Sequence, residues 1–191
     1  LPQEAAGIVP TAEWLRNHRP EYDVAVPFDV MQIAIGQGFL RATPTHVANT
    51  MAMVGRGGVL QPVKLFLEGG PGAAEGPAPL RLRADKIAVV AEGMHRVVNE
   101  GRANPSGDGR RGTAHKYFHG PGVTSVDADI YGKTGTATDT PADLNGDGTI
   151  GADERERNEM AWFAGFALEN SSRGRPLGER RGVAFAVVVE Y

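Results

Sequence analysis

The sequence predicts an α+β fold, an antiparallel sheet packed by helices, and three observations carry that expectation. Two near-continuous apolar runs of strand length, AWFAGFAL (161–168) and VAFAVVVEY (183–191), are rich in Val and Phe. The polar stretch between them, 169–182, suits an antiparallel hairpin connection. Two earlier segments repeat apolar residues at helical spacing instead. With 191 residues, 41% hydrophobic and 23% charged, the chain can build one domain with a core.

The elements follow in order. Residues 1–42 read as mostly irregular, punctuated by Pro2, Pro10, Pro20 and Pro27, with a short helical turn at 11–16. Thr43-Pro44 opens a helix as a threonine cap followed by proline at the first helical position. Val47, Ala48, Met51, Ala52 and Val54 form its apolar face, and Gly57-Gly58 ends it. A Gly/Pro stretch at 68–79 predicts little regular structure. A second helix over 84–100 places Ile87, Val90, Ala91, Met94, Val97 and Val98 on one stripe and stops at Gly101. Residues 101–125 read as a polar loop, and 129–137 as a third strand. Continuous apolar strands such as 161–168 and 183–191 predict burial on both faces.

Charge and composition exclude several classes of function. The net charge is −3, and the segment 139–159 alone holds seven acids against Arg155 and Arg157, a balance of −5. The rest of the chain is therefore about +2, with no basic stripe for nucleic acid. Cysteine is absent, which removes disulfides and thiolate metal sites. No apolar run approaches the roughly 18 residues of a membrane span. Leu1-Pro2-Gln3-Glu4 does not resemble a signal peptide, so any membrane contact is expected only through an upstream anchor.

The stretch YGKTGTATDTPADLNGDGTIGADE (131–154) holds two chemical signals. In its first half, Lys133-Thr134-Gly135-Thr136 can present an ammonium group, hydroxyls and a backbone N–H from one strand edge, and Gly135 lets a ligand approach the backbone closely. The Lys-Thr-Gly tripeptide within it (133–135) accompanies a nucleophilic serine with a lysine three residues later. In its second half, oxygen donors stand at loop positions 1, 3 and 5 (Asp143, Asn145, Asp147), with Gly148 at 6, Ile150 at 8 and Glu154 at 12. This is the spacing of an EF-hand calcium loop, with Thr149 ligating through its backbone carbonyl and Gly151 acting through a water. The flanking helices are lacking, because Pro141 precedes the loop and only a short turn at 153–158 can follow. The expectation is an inserted EF-hand-like loop at 139–159 that binds structural Ca²⁺; an acidic, Gly-rich surface loop is the plainer alternative.

Context decides the first signal. IAIGQGFLRATPTHVANTMAMVGRGGVLQPV (33–63), GMHRVVNEG (93–101), GTA (112–114), YGKTGTA (131–137) and AWFAGFAL (161–168) occur in that order. Together they resemble the C-terminal half of the transpeptidase domain of class B penicillin-binding proteins. GIVPTAEW (7–14) and IGQG (35–38) are similar to the cell-elongation type. The resemblance covers nearly the whole chain apart from 68–82 and 138–159, and implies a partial penicillin-binding, serine β-lactamase-like fold over 1–191.

The resemblance also implies roles. Lys133 organises proton transfer around the nucleophile and adds positive potential. Thr134 and Thr136 hydrogen-bond the substrate's terminal carboxylate, or that of a β-lactam. The backbone N–H of Thr136 supplies half of an oxyanion hole, and Gly135 keeps the strand edge open. IGQG and the two helices read better as turns and packing than as chemistry.

The nucleophile itself is not in the sequence. Three residues after Ser106, Ser125, Ser171 and Ser172, the only serines, stand Gly109, Ala128, Gly174 and Arg175. None of the four has asparagine two residues later. In the family both serine elements lie upstream of Leu1, so the chain is expected to be a piece of a larger enzyme, inactive alone. The strand 183–191 is expected to leave a long apolar edge that the missing N-terminal half of the domain would cover. The parent is then expected to be a peptidoglycan D,D-transpeptidase acting on stem peptides, acylated by β-lactams, needing no cofactor for catalysis, on the periplasmic side of the inner membrane. A serine β-lactamase or β-lactam sensor shares the fold, and a non-catalytic calcium-dependent binding module is the alternative of a different class.

His18, His46, His95, His115 and His119 are scattered. His115 and His119 have the spacing of helical metal ligands, but Gly120, Pro121 and Gly122 argue for a loop with solvated rings. Trp162 and Phe163 read as core.

Overall fold

The structure is a computed structural model that describes residues 5–18, 27–63, 80–101, 111–138 and 159–190. Helices α1 (Ala12–His18), α2 (Pro27–Ala34) and α3 (Pro44–Gly55) come first, then the short strands β1 (Val59–Leu60) and β2 (Leu80–Arg81). Helices α4 (Ala84–Asn99) and α5 (His115–His119) precede the strands β3 (Ala128–Thr138), β4 (Glu159–Glu169) and β5 (Gly182–Glu190). The chain forms two compact units, Leu1–His46 and Val47–Tyr191.

In the first unit, α1 starts where Thr11 accepts the Trp14 N–H at 3.1 Å and buries Leu15. An antiparallel bridge joins Ile8 to Arg41. The expectation of irregular chain fails at α2, because Pro27 opens a helix as its first residue instead of breaking one. Gly36 (φ 77°) and Gly38 (φ 70°) then turn the chain, so IGQG forms the turn expected of it.

Helix α3 begins as Thr43-Pro44 predicts: the His46 N–H donates to Thr43 Oγ1 at 3.2 Å. It ends in a Schellman motif, with Gly58 N–H bonded to Met53 O and Gly57 N–H to Val54 O, and Gly57 in the left-handed region at φ 69°. The β1–β2 pair that follows, Val59 opposite Arg81 and Leu60 opposite Leu80, has too few residues to leave a period-2 signature.

The second unit centres on an antiparallel sheet of order β3-β4-β5. Ala128 opposes Glu169 and Thr138 opposes Glu159; Met160 opposes Glu190. The apolar run in 161–168 becomes the central strand β4, and the polar linker becomes its hairpin connection to β5 through two 3-10 turns. One face of the sheet, carrying Phe166 and Leu168, packs against Val54 of α3 and Ile87, Ala91 and Met94 of α4. Those α4 residues, with Val98, form the buried stripe, whereas Val90 turns out at 49% exposure.

Burial on both faces holds for β4 but not for β5. Ala164, Gly165 and Phe166 are all buried, while Val183, Val187 and Val189 are exposed. A continuous apolar run cannot distinguish a strand covered twice from one covered once. Among the described residues β5 pairs only with β4, and β3 likewise lies at an edge.

Candidate functional site

Strand β3 carries Lys133, Thr134, Gly135 and Thr136 along the edge of the sheet. Side chains alternate, so Thr134 and Thr136 share one face while Lys133 and Gly135 share the other. Lys133, Gly135 and Thr136 are exposed, and Thr134 is half-buried. Lys133 Nζ donates to the carbonyl of Thr134 at 2.6 Å, which folds the ammonium group back along its own strand. An exposed cation and two hydroxyls within four residues can hold a carboxylate.

The GTA stretch (112–114) gives no sign in the sequence of its contact with the Lys-Thr-Gly strand. Thr113 Oγ1 lies 3.0 Å from Thr134 Oγ1. The residues on either side of Thr113 are tied to the end of α4: Gly112 N–H donates to Glu100 O and Ala114 N–H to Val97 O, each at 3.0 Å. A Cβ on Gly112 would collide with the carbonyl oxygens of Arg96 and Val97, so glycine permits this close approach. Ala114 is 1% exposed.

Directly after this turn comes α5, where a loop was expected. Its five residues end at Gly120, immediately before Pro121, so the breakers that argued against a helix instead terminate one. The His115 and His119 rings lie 4.9 Å apart at 32°, and His119 Nε2–H donates to Asn99 Oδ1 at 3.2 Å. Asn99 in turn donates to the Ile130 carbonyl on β3 at 3.0 Å. Phe118 packs on Phe163 with ring centroids 5.4 Å apart. Phe163 is the cross-strand partner of Thr134, and its ring lies where a Cβ on Gly132 would be.

The other end of β3 holds a buried polar cluster that no motif announced. Asp129, 7% exposed at its side chain, accepts from Arg180 Nη1 at 3.0 Å, Tyr131 OH at 3.1 Å and His95 Nε2–H at 3.1 Å. Arg173 Nη2 reaches Asp129 at 3.4 Å. Arg180 is itself 4% exposed at its side chain and also donates to Glu169 O at 3.3 Å. Burial pushes the Asp129 carboxyl up, but its bonds to Arg180 and Tyr131 and the nearby His95 and Arg173 outweigh that and hold it below the ordinary carboxylate range. Tyr131 is raised by burial and by the adjacent Asp129 carboxylate. His95 is thus a half-buried partner of Asp129, and Tyr131 stacks on Phe166 at 4.6 Å, which links the cluster to the core.

A cavity of about 750 Å³ opens near that cluster, lined among others by Arg56, Asp127, Glu169, Arg180 and Val183. It does not include Lys133, Thr134, Gly135 or Thr136. Ser172 Oγ donates to Glu169 O at 2.8 Å and Ser171 Oγ to Glu169 Oε2 at 3.4 Å, both past the end of β4 that lies away from Lys133. Among the described residues no group of three or more His, Asp or Glu side chains could hold a metal ion. The predicted calcium ligands Asp143, Asn145, Asp147, Thr149 and Glu154 lie outside the described residues.

Comparison with known proteins gives this geometry a family. The model of the penicillin binding protein transpeptidase domain matches residues 1–173. Peptidoglycan D,D-transpeptidase MrdA of Haemophilus influenzae is 28% identical over 176 residues, which cover 87% of this chain but 24% of that protein. Pseudomonas aeruginosa PBP2, solved in complex with WCK 5153, superposes with a TM-score of 0.58 at 26% identity, over 98% of this chain and 34% of its own. PBP2 of Helicobacter pylori, solved in complex with MreC, shares the fold with a TM-score of 0.61 at 24% identity, over 100% of this chain and 28% of its own. The α+β architecture is therefore that of the penicillin-binding fold, and the chain belongs to the penicillin-binding protein transpeptidase family, as a class B, elongation-type member matching the C-terminal part of that domain.

Proposed function

We propose that this chain supplies the C-terminal wall of a D,D-transpeptidase active site that cross-links peptidoglycan stem peptides by serine acyl transfer. The observation that carries the reading is the exposed edge of β3, where Lys133, Thr134 and Thr136 gather on the sheet of a family member. A serine upstream of Leu1 attacks the penultimate D-alanine carbonyl and releases the terminal D-alanine; the acyl group then passes to an amine on a neighbouring strand. Lys133 helps move the serine's proton and holds positive potential at the site. Thr134 and Thr136 bind the terminal carboxylate, and the Thr136 backbone N–H stabilises the developing oxyanion. Among the described serines, Ser125, Ser171 and Ser172, none stands beside the Lys133 edge in sequence or takes part in its hydrogen bonds, which supports an upstream nucleophile.

In the same reading the parent works on the periplasmic side of the inner membrane through an upstream anchor, and the N-terminal half of the domain completes the site. The segment 139–158 binds Ca²⁺ through Asp143, Asn145, Asp147, Thr149 and Glu154. Support comes from its ends: Thr138 and Glu159 are cross-strand partners, so the segment leaves and returns at the tip of the hairpin whose first strand carries Lys133. Calcium there is structural, and catalysis needs no cofactor.

A fluorescent penicillin tests the assignment. The full-length protein should form a covalent adduct, and residues 1–191 alone should form none. A penicilloyl adduct found by intact mass on the isolated chain would place the nucleophile within it and overturn the reading.

A further inference from the structure

The hydroxyl of Thr113 is bonded to the half-buried hydroxyl of Thr134, within the Lys-Thr-Gly stretch of the β3 edge. A hydroxyl has one proton to give and lone pairs to accept with, and a carboxylate only accepts. In the pair Thr113–Thr134 either oxygen can be the donor. If Thr134 gives its proton to Thr113, it offers a bound carboxylate only lone pairs. If Thr113 gives its proton to Thr134, the Thr134 proton is free to point at the ligand.

We propose that Thr113 is a positioning residue of the carboxylate subsite: it donates to Thr134 Oγ1 and so turns the Thr134 proton toward the anion. The inference rests on the reading above that Thr134 binds the terminal carboxylate. The arrangement is held firmly enough to work. Gly112 and Ala114 are each bonded to the end of α4, and α5 returns Phe118 to Phe163, directly across the sheet from Thr134. Thr113 is thereby fixed from both sides at the register of the residue it addresses. A hydrogen bond received by Thr134 also polarises its O–H and strengthens the charged bond it makes.

The test compares acylation of the full-length protein by a penicillin and by the methyl ester of the same penicillin, which lacks the carboxylate. Thr113→Val removes the donor at nearly constant volume, and Thr113→Ser retains it. Thr113→Val should slow acylation by the free acid about three- to tenfold, the scale of one hydrogen bond, and leave the ester unchanged. Thr113→Ser should restore the rate. Because Thr113 acts through Thr134, Thr113→Val combined with Thr134→Val should be no slower than Thr134→Val alone. Equal slowing of acid and ester, or an additive double variant, would overturn the positioning role. So would a Thr113→Val rate equal to wild type while Thr134→Val discriminates acid from ester. If Thr134→Val itself fails to discriminate, the carboxylate reading falls, and this inference falls with it.

Discussion

The two ends of β3 are built to opposite specifications. At the Ala128 end, Asp129 has His95, Tyr131, Arg173 and Arg180 around one buried carboxylate, and the Ile130 carbonyl is tied to Asn99 of α4. At the Thr138 end, Lys133 and Thr136 stand exposed, and a hydroxyl bond joins Thr134 to Thr113. The first end is over-determined and low in exposure; the second is left open on a rigid support. A strand pinned at one end can present groups at the other without those groups having to stabilise the fold. That division lets a site hold its side chains in position for a ligand.

The largest expected effect falls at the closed end. Asp129→Asn leaves the buried Arg180 guanidinium without its counter-charge and should destabilise the full-length protein by about 3–5 kcal/mol. Arg173 compensates little, being 68% exposed. The pH dependence carries a sign. Because the folded-state carboxyl lies below its ordinary value, its contribution is present above that ordinary value and drains away as pH falls toward the depressed one. Tyr131 works in the opposite sense: its raised hydroxyl contributes below the ordinary phenol range and is lost as pH rises through its folded value. Thermal melts from acid to neutral pH should therefore show wild type losing stability more steeply than Asp129→Asn on acidification. Parallel curves would mean that the cluster does not anchor β3 electrostatically.

At the open end the same logic predicts the reverse balance. Lys133→Ala should slow acylation of the full-length protein by a penicillin at least about a hundredfold, from the loss of a charged, proton-organising group. Its melting temperature should stay close to wild type, because Lys133 is exposed and donates to the carbonyl of its own neighbour Thr134. A large fall in stability with little change in rate would erase the contrast between the two ends.

Sequence showed the open end and hid the closed one, for a physical reason. Lys133, Thr134 and Thr136 are neighbours in the chain, so a local pattern could display them, and the strands β3, β4 and β5 were legible in period and composition. His95, Arg173 and Arg180 lie 34, 44 and 51 residues from Asp129 and are assembled with it by the fold, and the stretch GMHRVVNEG that holds His95 does not announce its partner. Thr113 lies between: GTA could be quoted as a string, but its bond to Thr134 spans 21 residues and a helix. Helix α5 was missed because Gly120-Pro121 reads equally as a loop or as a helix end. The exposed face of β5 was missed because Val183, Val187 and Val189 keep an apolar run that hides which face is covered.

The smallest expected effect extends the open end outward. Thr138 and Glu159 pair across the hairpin, so the segment between them begins and ends at one place, beyond Thr136 on the same strand. Asp143, Asp147 and Glu154 carry like charges at the spacing of calcium ligands, and their mutual repulsion opposes convergence unless a cation enters. Affinity should be weak, on the order of 0.1–1 mM as in extracellular modules. For a dissociation constant of about 1 mM, 10 mM calcium should stabilise the full-length protein by about 1.4 kcal/mol. Calorimetry should resolve one site, and Asp147→Ala or Glu154→Ala should each abolish it without moving the melting temperature of the metal-free protein. Because the segment joins the tip of the hairpin and not the Asp129 cluster, calcium should leave the acid-side loss of stability unchanged. No heat and no rise in melting temperature at 10 mM calcium would make the loop merely acidic; a calcium effect that vanished in Asp129→Asn would show that the two ends of β3 are coupled after all.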